Sequence, residues 1–279
     1  MQPNVTQEDI EKSLRAVGLK AGDIVLAHSS LRSFGYVEGG ADAVLDALLA
    51  TISPGGTLVL PTFTWGRFHD QEKVLFDVNE TPSECGRITE VFRKRKGVIR
   101  SRHVCHSVAA LGPCAEDVLG DGVSSFGPGS TFDRLCRLDS WVLFLGVGFS
   151  SCTALHMVEE FIQVPYRRYR DFNGSTVILP DGTEQPSRSV EFLRKPGYRN
   201  DFERVEDVFC REGILRIARV GRARIISARI RDIFRVTRAH MERDIGFLLS
   251  AESKRLLEAQ EARHDPWSPS APPPAGKPA

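Results

Sequence analysis

The order of its apolar runs constrains this chain more than any other feature. Residues 24–27 (IVLA) form a short apolar run of buried-strand type. In 41–52 (ADAVLDALLATI), Val44, Leu45, Leu48, Leu49 and Ile52 recur on one helical face. Pro54-Gly55-Gly56 then breaks the pattern, and 57–60 (TLVL) is a second apolar strand. Strand, helix, strand in succession predicts an α/β fold, a central β-sheet flanked by helices on both faces.

The remaining segments extend that pattern. Thr6 followed by Asp9 is a capped helix start, with Ile10, Leu14 and Val17 at helical spacing before Gly18 and Gly22. The stretch 61–85 reads as loop, 88–95 as helix, 108–111 and 141–147 as strands, and 153–162 (TALHMVEEFI) as helix. A second half from about Pro165 carries the hairpin pattern TVILPDGTEQ with Asp181-Gly182 at its turn, and later an amphipathic arginine-rich helix; arginines also crowd the segment 216–238. These features predict one domain over 1–262. The proline-rich remainder, 263–279, is expected to be a disordered tail.

Composition narrows the function classes. With 279 residues, 41% hydrophobic and 26% charged, the chain can bury a substantial core. No stretch approaches the roughly 18 apolar residues of a membrane span, and the start is acidic and helical where a secretory signal would be basic and then apolar. A cytoplasmic protein is expected. A formal net charge of +1 supplies no global field for nucleic acid or anionic membrane, so the expected partner is a small molecule, with a homodimer left open. Cys85, Cys105, Cys114, Cys136, Cys152 and Cys210 show no CxxC pair, which favours reduced thiols and argues against a zinc finger.

Three segments carry candidate chemistry. His28-Ser29-Ser30-Leu31 ends the first strand, and Gly39-Gly40 opens the next helix. Strand carboxyl ends and helix amino termini offer N–H and hydroxyl donors to phosphate, so Ser29, Ser30 and Gly40 are candidate pyrophosphate binders; the alternative is an ordinary serine-capped turn. His103, Cys105 and His106, with Ser107, cluster in 100–107 (RSRHVCHS). They admit metal ligation, a cysteine nucleophile paired with histidine, or histidines that shape a pocket. In the 153–162 helix, Leu155, Val158, Phe161 and Ile162 form the apolar face. His156 points elsewhere, with Glu159 and Glu160 at i+3 and i+4, as suits a general base oriented by a carboxylate, or simply a solvated polar face.

Read together and in order, these segments resemble the aminoglycoside 3-N-acetyltransferase family, also described as the antibiotic N-acetyltransferase family. The resemblance runs through GLKAGDIVLAHSSLRSFGYVEGGADAV, GTLVLPTFTW, TPSECGRITEVFRKRKGVIRSRHVCHSVAALGP, SSFGPGSTFDRLCRLDSWVLFLGVG, TALHMVEE, PYR and YRNDFERVEDVF, nearly the whole chain. It implies an α/β fold and transfer of an acetyl group from acetyl-coenzyme A to a primary amine of an aminosugar or aminoglycoside-like substrate, without a metal. It places the cofactor at His28, Ser29, Ser30, Leu31, Gly39 and Gly40, makes His156 the catalytic base with Glu159 its acidic partner in H-x-x-E, and puts His103, His106 and Ser107 at the substrate pocket.

Departures from the family pattern bear on the acceptor. Val104 and Cys105 stand where similar proteins often have proline after the first histidine. GDGVSS replaces a stretch that commonly holds a histidine. The 61–81 loop is shorter and less acidic than in enzymes acting on polycationic antibiotics. Direct transfer is the expected mechanism, with Thr153 or a backbone N–H near Gly148 stabilising the oxyanion. Rival readings are an acyltransferase with a Cys105 nucleophile, a metallohydrolase using His28, His103, His106 and His156, and a non-catalytic coenzyme A or nucleotide-binding protein.

Overall fold

The computed structural model describes residues 4–68 and 70–264. Helix α1 (Gln7–Ala16) opens on the expected capping box. The Thr6 hydroxyl accepts from the Asp9 N–H at 3.2 Å, and the Asp9 carboxylate accepts from the Thr6 N–H at 3.0 Å. Strand β1 (Ile24–Ser29), helix α2 (Gly40–Ile52) and strand β2 (Thr57–Pro61) follow as predicted. The expected 61–85 loop holds two short elements, α3 (Trp65–Phe68) and β3 (Leu75–Asp77). Then come α4 (Arg87–Phe92), β4 (Ile99–Arg100), β5 (Val108–Leu111), α5 (Ala115–Leu119), α6 (Thr131–Arg137) and β6 (Trp141–Leu145).

Helix α7 (Ala154–Ile162) leads into β7 (Arg167–Asp171), β8 (Thr176–Ile178), β9 (Glu184–Pro186) and β10 (Val190–Arg194). Strands β8 and β9 are the hairpin expected at Asp181-Gly182, where Gly182 has φ +84. After α8 (Val205–Arg211) the arginine-crowded segment begins with an antiparallel pair that the sequence did not signal, β11 (Arg216–Val220) and β12 (Ala223–Arg229), and then gives the expected amphipathic arginine-rich helix, α9 (Ile230–Met241). Helix α10 (Ala251–His264) is the last element of the described residues. The rest of the predicted tail lies outside the described residues.

Seven strands form one mixed sheet in the order β11-β12-β6-β1-β2-β5-β4. At its centre β1 is parallel to both β2 and β6. The chain leaves β1 toward β2 on one side and later returns as β6 on the other, which makes the carboxyl ends of β1 and β6 a topological switch point, the usual place for a ligand crevice. Val25 and Ala27 pack into the apolar layer of α1, α2 and α4, and Leu26 packs into the layer of α5 to α9 on the opposite face. Burial on both faces explains why these strands read as unbroken apolar runs. Strands β7 and β10 pair as a separate antiparallel ribbon. Among the described residues, no helix is long and apolar enough to cross a membrane.

Candidate active site

Past β6 the chain makes a single 3₁₀ turn, Phe149–Ser151, and enters α7. Leu155 and Val158 are fully buried, as their spacing predicts, whereas Phe161 is 57% exposed and stands under the Arg238 guanidinium. His156 leaves the helix on another side, between the rings of Phe126 and Phe202, at centroid distances of 5.1 and 5.0 Å.

Glu159 is completely buried and fully partnered. One oxygen accepts from His156 Nδ1 at 2.6 Å and forms an ion pair with Arg167 Nη2 at 2.8 Å, and the other accepts from Tyr166 OH at 3.0 Å and Asn200 Nδ2 at 2.8 Å. The tautomer of His156 follows from its partner. Glu159 is held ionised and can only accept, so the 2.6 Å contact assigns the proton to Nδ1, which donates to the carboxylate. Arg167 Nη2 stands 2.8 Å from Nδ1 and donates to Asn200 Oδ1 at 3.3 Å. The Nε2 lone pair then faces a recess of about 210 Å³ lined by Trp65, His106, Phe126, Arg167, Glu191 and Arg194, among others.

The charges around this ring set its protonation. Burial alone would raise the Glu159 carboxyl, but Arg167, His156 and Asn200 hold it down to about 2. Burial and then the Arg167 cation lower His156 to about 4, outweighing Glu159. The imidazole is thus a neutral hydrogen-bond acceptor at Nε2 through the physiological range. Glu160 turns to the other side of α7, where it accepts from Ser124 at 3.1 Å and Tyr169 at 3.4 Å, so only Glu159 orients the ring.

Of the other histidines, His106 lines the recess with His156. His103 does not: its Nδ1 accepts from the N–H groups of Cys105 and His106 at 3.2 and 3.0 Å, and its Nε2 faces Val190 O and Ser125 Oγ, both at 3.2 Å, so it organises the loop. Ser107 belongs to a buried network with Thr62 and Arg100. Cys105 is fully buried, and burial and then Glu191 push its thiol upward, so no thiolate is available for the nucleophile reading. Among the described residues, no group of three or more His, Cys, Asp or Glu is arranged to hold a metal.

His28, Ser29 and Ser30 lie at the switch point, where the Ser30 N–H donates to Leu145 O at 2.9 Å. Leu31 begins a short 3₁₀ turn, Leu31–Phe34, and Gly39 and Gly40 open α2 with φ +78 and +61. His28 stacks on Phe144, and its Nε2 and the Ser29 hydroxyl are buried without a hydrogen-bond partner. This group and the His156 helix leave the same carboxyl edge of the sheet. Thr153 is not among the lining residues of the recess; its hydroxyl lies 3.5 Å from Ser151 O. The N–H groups of Phe149 and Ser150, the backbone donors just after Gly148, are occupied by the Glu203 carboxylate at 3.2 and 2.8 Å and do not form an oxyanion site.

This architecture is shared. The sequence profile described as Aminoglycoside 3-N-acetyltransferase matches residues 26–242. The chain belongs to the aminoglycoside 3-N-acetyltransferase family. It is 30% identical over 239 residues to the SPbeta prophage-derived aminoglycoside N(3')-acetyltransferase-like protein YokD of Bacillus subtilis (strain 168), covering 78% of this chain and 85% of that protein. It is 33% identical over 196 residues to aminoglycoside N(3)-acetyltransferase VII of Streptomyces paromomycinus, covering 64% and 67%. The crystal structure of the apoenzyme of aminoglycoside acetyltransferase AAC(3)-IVa superposes with a TM-score of 0.76 at 27% identity, covering 93% of this chain and 99% of that one. The protein is an acetyltransferase enzyme.

Arg167, Tyr166 and Asn200 complete the surroundings of Glu159 without having been expected there. All three lie in the PYR and YRND segments of the family resemblance, which was the available signal, but spacing alone gave them no role.

Proposed function

We propose that the enzyme moves an acetyl group from acetyl-coenzyme A directly to a primary amine of an aminosugar-type acceptor, with His156 as general base. The observation that carries this reading is the pairing of His156 with Glu159: Nδ1 lies 2.6 Å from a buried carboxylate, which commits that nitrogen as the donor, and the ring lines a recess of about 210 Å³. Glu159 fixes the ring, and Arg167 and Asn200 fix Glu159. When bound, acetyl-coenzyme A supplies an activated thioester carbonyl. The residues at the switch point fit its polar part: hydroxyls of Ser29 and Ser30, orphaned polar atoms on His28 and Ser29, and a glycine-opened helix terminus at Gly40 where an added Cβ would meet nothing within 4 Å. His156 accepts the proton that the amine nitrogen loses as it bonds to the carbonyl carbon, and no acyl-enzyme is needed.

The test is His156→Ala assayed by free-thiol release. Loss of a general base lowers turnover by about 10² to 10⁴, with coenzyme A affinity little changed. Retention of more than about a tenth of wild-type turnover would reject the assignment.

A further inference from the structure

The recess above His156 opens into a wider cavity of about 560 Å³, which shares Trp65, Leu193 and Arg194 with it. The two together present the cations of Arg167, Arg168, Arg170, Arg194, Lys195 and Arg199 against only two carboxylates, Asp70 and Glu191. Since the whole chain carries a formal net charge of only +1, this is a local concentration.

The β7–β10 ribbon creates it at a cost. Arg167 and Arg194 lie directly opposite each other in the antiparallel register, an arrangement of like charges that destabilises a sheet. Glu159 neutralises Arg167. Among the described residues, Arg168, Arg194 and Arg199 are in no ion pair; Arg194, half-buried, has only the neutral Asn200 Oδ1 at 2.8 Å. Leaving a half-buried guanidinium without a carboxylate costs stability unless an anion completes the site. The inner recess also holds one buried carboxylate. Glu191 is 2% exposed, and its Oε2 has no hydrogen-bond partner. It shares that recess with Arg167 and Arg194, and the wider cavity adds Arg168, Arg170, Lys195 and Arg199.

Resting on the acetyltransferase reading above, we propose that the acceptor is an anionic amine: a single amino group enters toward His156 and Glu191, and a phosphate-bearing portion lies against Arg168, Arg194 and Arg199. A polycationic aminoglycoside is the wrong charge for this cleft, because each further ammonium group would be brought among arginines. A phosphorylated aminosugar and a nucleotide-linked aminosugar share the required chemistry.

The experiment measures kcat/KM by thiol release, with the full chain and acetyl-coenzyme A, for glucosamine, glucosamine 1-phosphate, glucosamine 6-phosphate, a uridine-diphosphate-linked aminosugar with a free amine, and kanamycin. The best acceptor is expected to carry phosphate and to exceed glucosamine by about tenfold or more, as charge-assisted contacts to a phosphate would give. Whether the monophosphates or the nucleotide-linked sugar lead identifies the source of the anion. Raising the salt from about 0.05 to about 0.5 M should erode the advantage by screening.

The double variant Arg168→Gln/Arg199→Gln, at exposed positions, should lower the phosphorylated-to-neutral ratio of kcat/KM about tenfold through the acceptor's KM. Arg194→Gln should act in the same direction. A higher kcat/KM for glucosamine or kanamycin than for every phosphorylated amine overturns the inference and leaves the acetyltransferase reading intact. A variant that raises the KM for acetyl-coenzyme A while the acceptor ratio holds also overturns it, by assigning the arginines to the donor. Absence of turnover with every amine removes both readings.

Discussion

Replacing Glu159 by glutamine changes one oxygen to an NH₂ group and keeps the volume, so it probes the tautomer more than the packing. In the wild type, three donors converge on the carboxylate, His156 Nδ1, Tyr166 OH and Asn200 Nδ2, at 2.6 to 3.0 Å, and the Arg167 guanidinium pairs with it ionically at 2.8 Å. An amide offers one accepting oxygen. If that oxygen stays with Tyr166 and Asn200, the new NH₂ group meets the N–H groups of Arg167 and His156. The conflict is relieved when the imidazole moves its proton to Nε2 and Nδ1 accepts from the amide. The nitrogen facing the recess then carries a hydrogen and cannot act as a base. A wrong tautomer in an otherwise intact base–carboxylate pair costs about 10⁴ in kcat in the serine protease case, so a loss of about 10³ to 10⁴ is expected. Arg167 also loses its buried counter-ion, which costs on the order of 3 to 5 kcal/mol of stability. Thiol-release kinetics from pH 4 to 10 and urea unfolding separate the two effects. Turnover within about tenfold of wild type in folded protein would refute the assigned tautomer.

Other outcomes follow from the same geometry. Cys105→Ser should retain turnover within a few-fold, because a buried thiol held above its ordinary range is no nucleophile; complete loss with normal coenzyme A binding would revive the covalent reading. Gly40→Asp adds a carboxylate at the start of α2, where space is open but φ is +61, a conformation costing a non-glycine residue about 1 to 2 kcal/mol; it should lower the apo Tm modestly and abolish the coenzyme A-induced rise in Tm, and an unchanged shift would remove this loop from the donor site. His28, His103 and His156 are each lowered to about 4, in each case chiefly by burial. Between their unfolded value near pH 6.5 and that point, the unfolded chain holds more protons than the folded one. Their contribution is thus complete above about pH 6.5 and is lost as pH falls toward 4, so Tm should drop through that window with net proton uptake on unfolding; a flat Tm would contradict the burial of neutral rings.

The sheet centre was legible because its strands are buried on both faces and its helices repeat at one period. β1, α2, β2, β5 and β6 all appeared within a residue or two of their observed bounds. The β7–β10 ribbon was not legible, since RRYRD and VEFLR spend their alternate positions on cations and carboxylates that serve the cleft, and neither carries the apolar signature of a core strand. The β11–β12 pair was hidden for a related reason: its arginines mask the alternation of an edge hairpin. Phe161 was misplaced by helical geometry. Two i+3 steps from Leu155 drift about 120° around the helix, far enough to leave the core face. In the site, the i+3 spacing of His156 and Glu159 was readable because it is local. Arg167 and Asn200 reach Glu159 only through the tertiary fold, the latter across 41 residues. Periodicity cannot report such a contact.

The missing arginine changes the chemical reading of the base. From sequence, a carboxylate beside His156 should favour the imidazolium and raise the ring's affinity for a proton. In the structure, Arg167 shares that carboxylate, so the buried trio of Arg167, Glu159 and neutral His156 balances its charges without a second proton on the ring. The result is a base lowered to about 4, never blocked by protonation near neutral pH but poorly matched to a free alkylammonium ion, whose affinity for its proton is far higher. It is better matched to a nitrogen already bonding to the carbonyl carbon, which becomes acidic as that bond forms. The acceptor must then reach His156 as the neutral amine, and discharging its ammonium falls to solvent or to the deep carboxylate of Glu191, which burial raises to about 6. On the proposed reading, the ring is neutral before transfer and takes the amine's proton during bond formation, while the arginine-rich cleft would hold the rest of the acceptor.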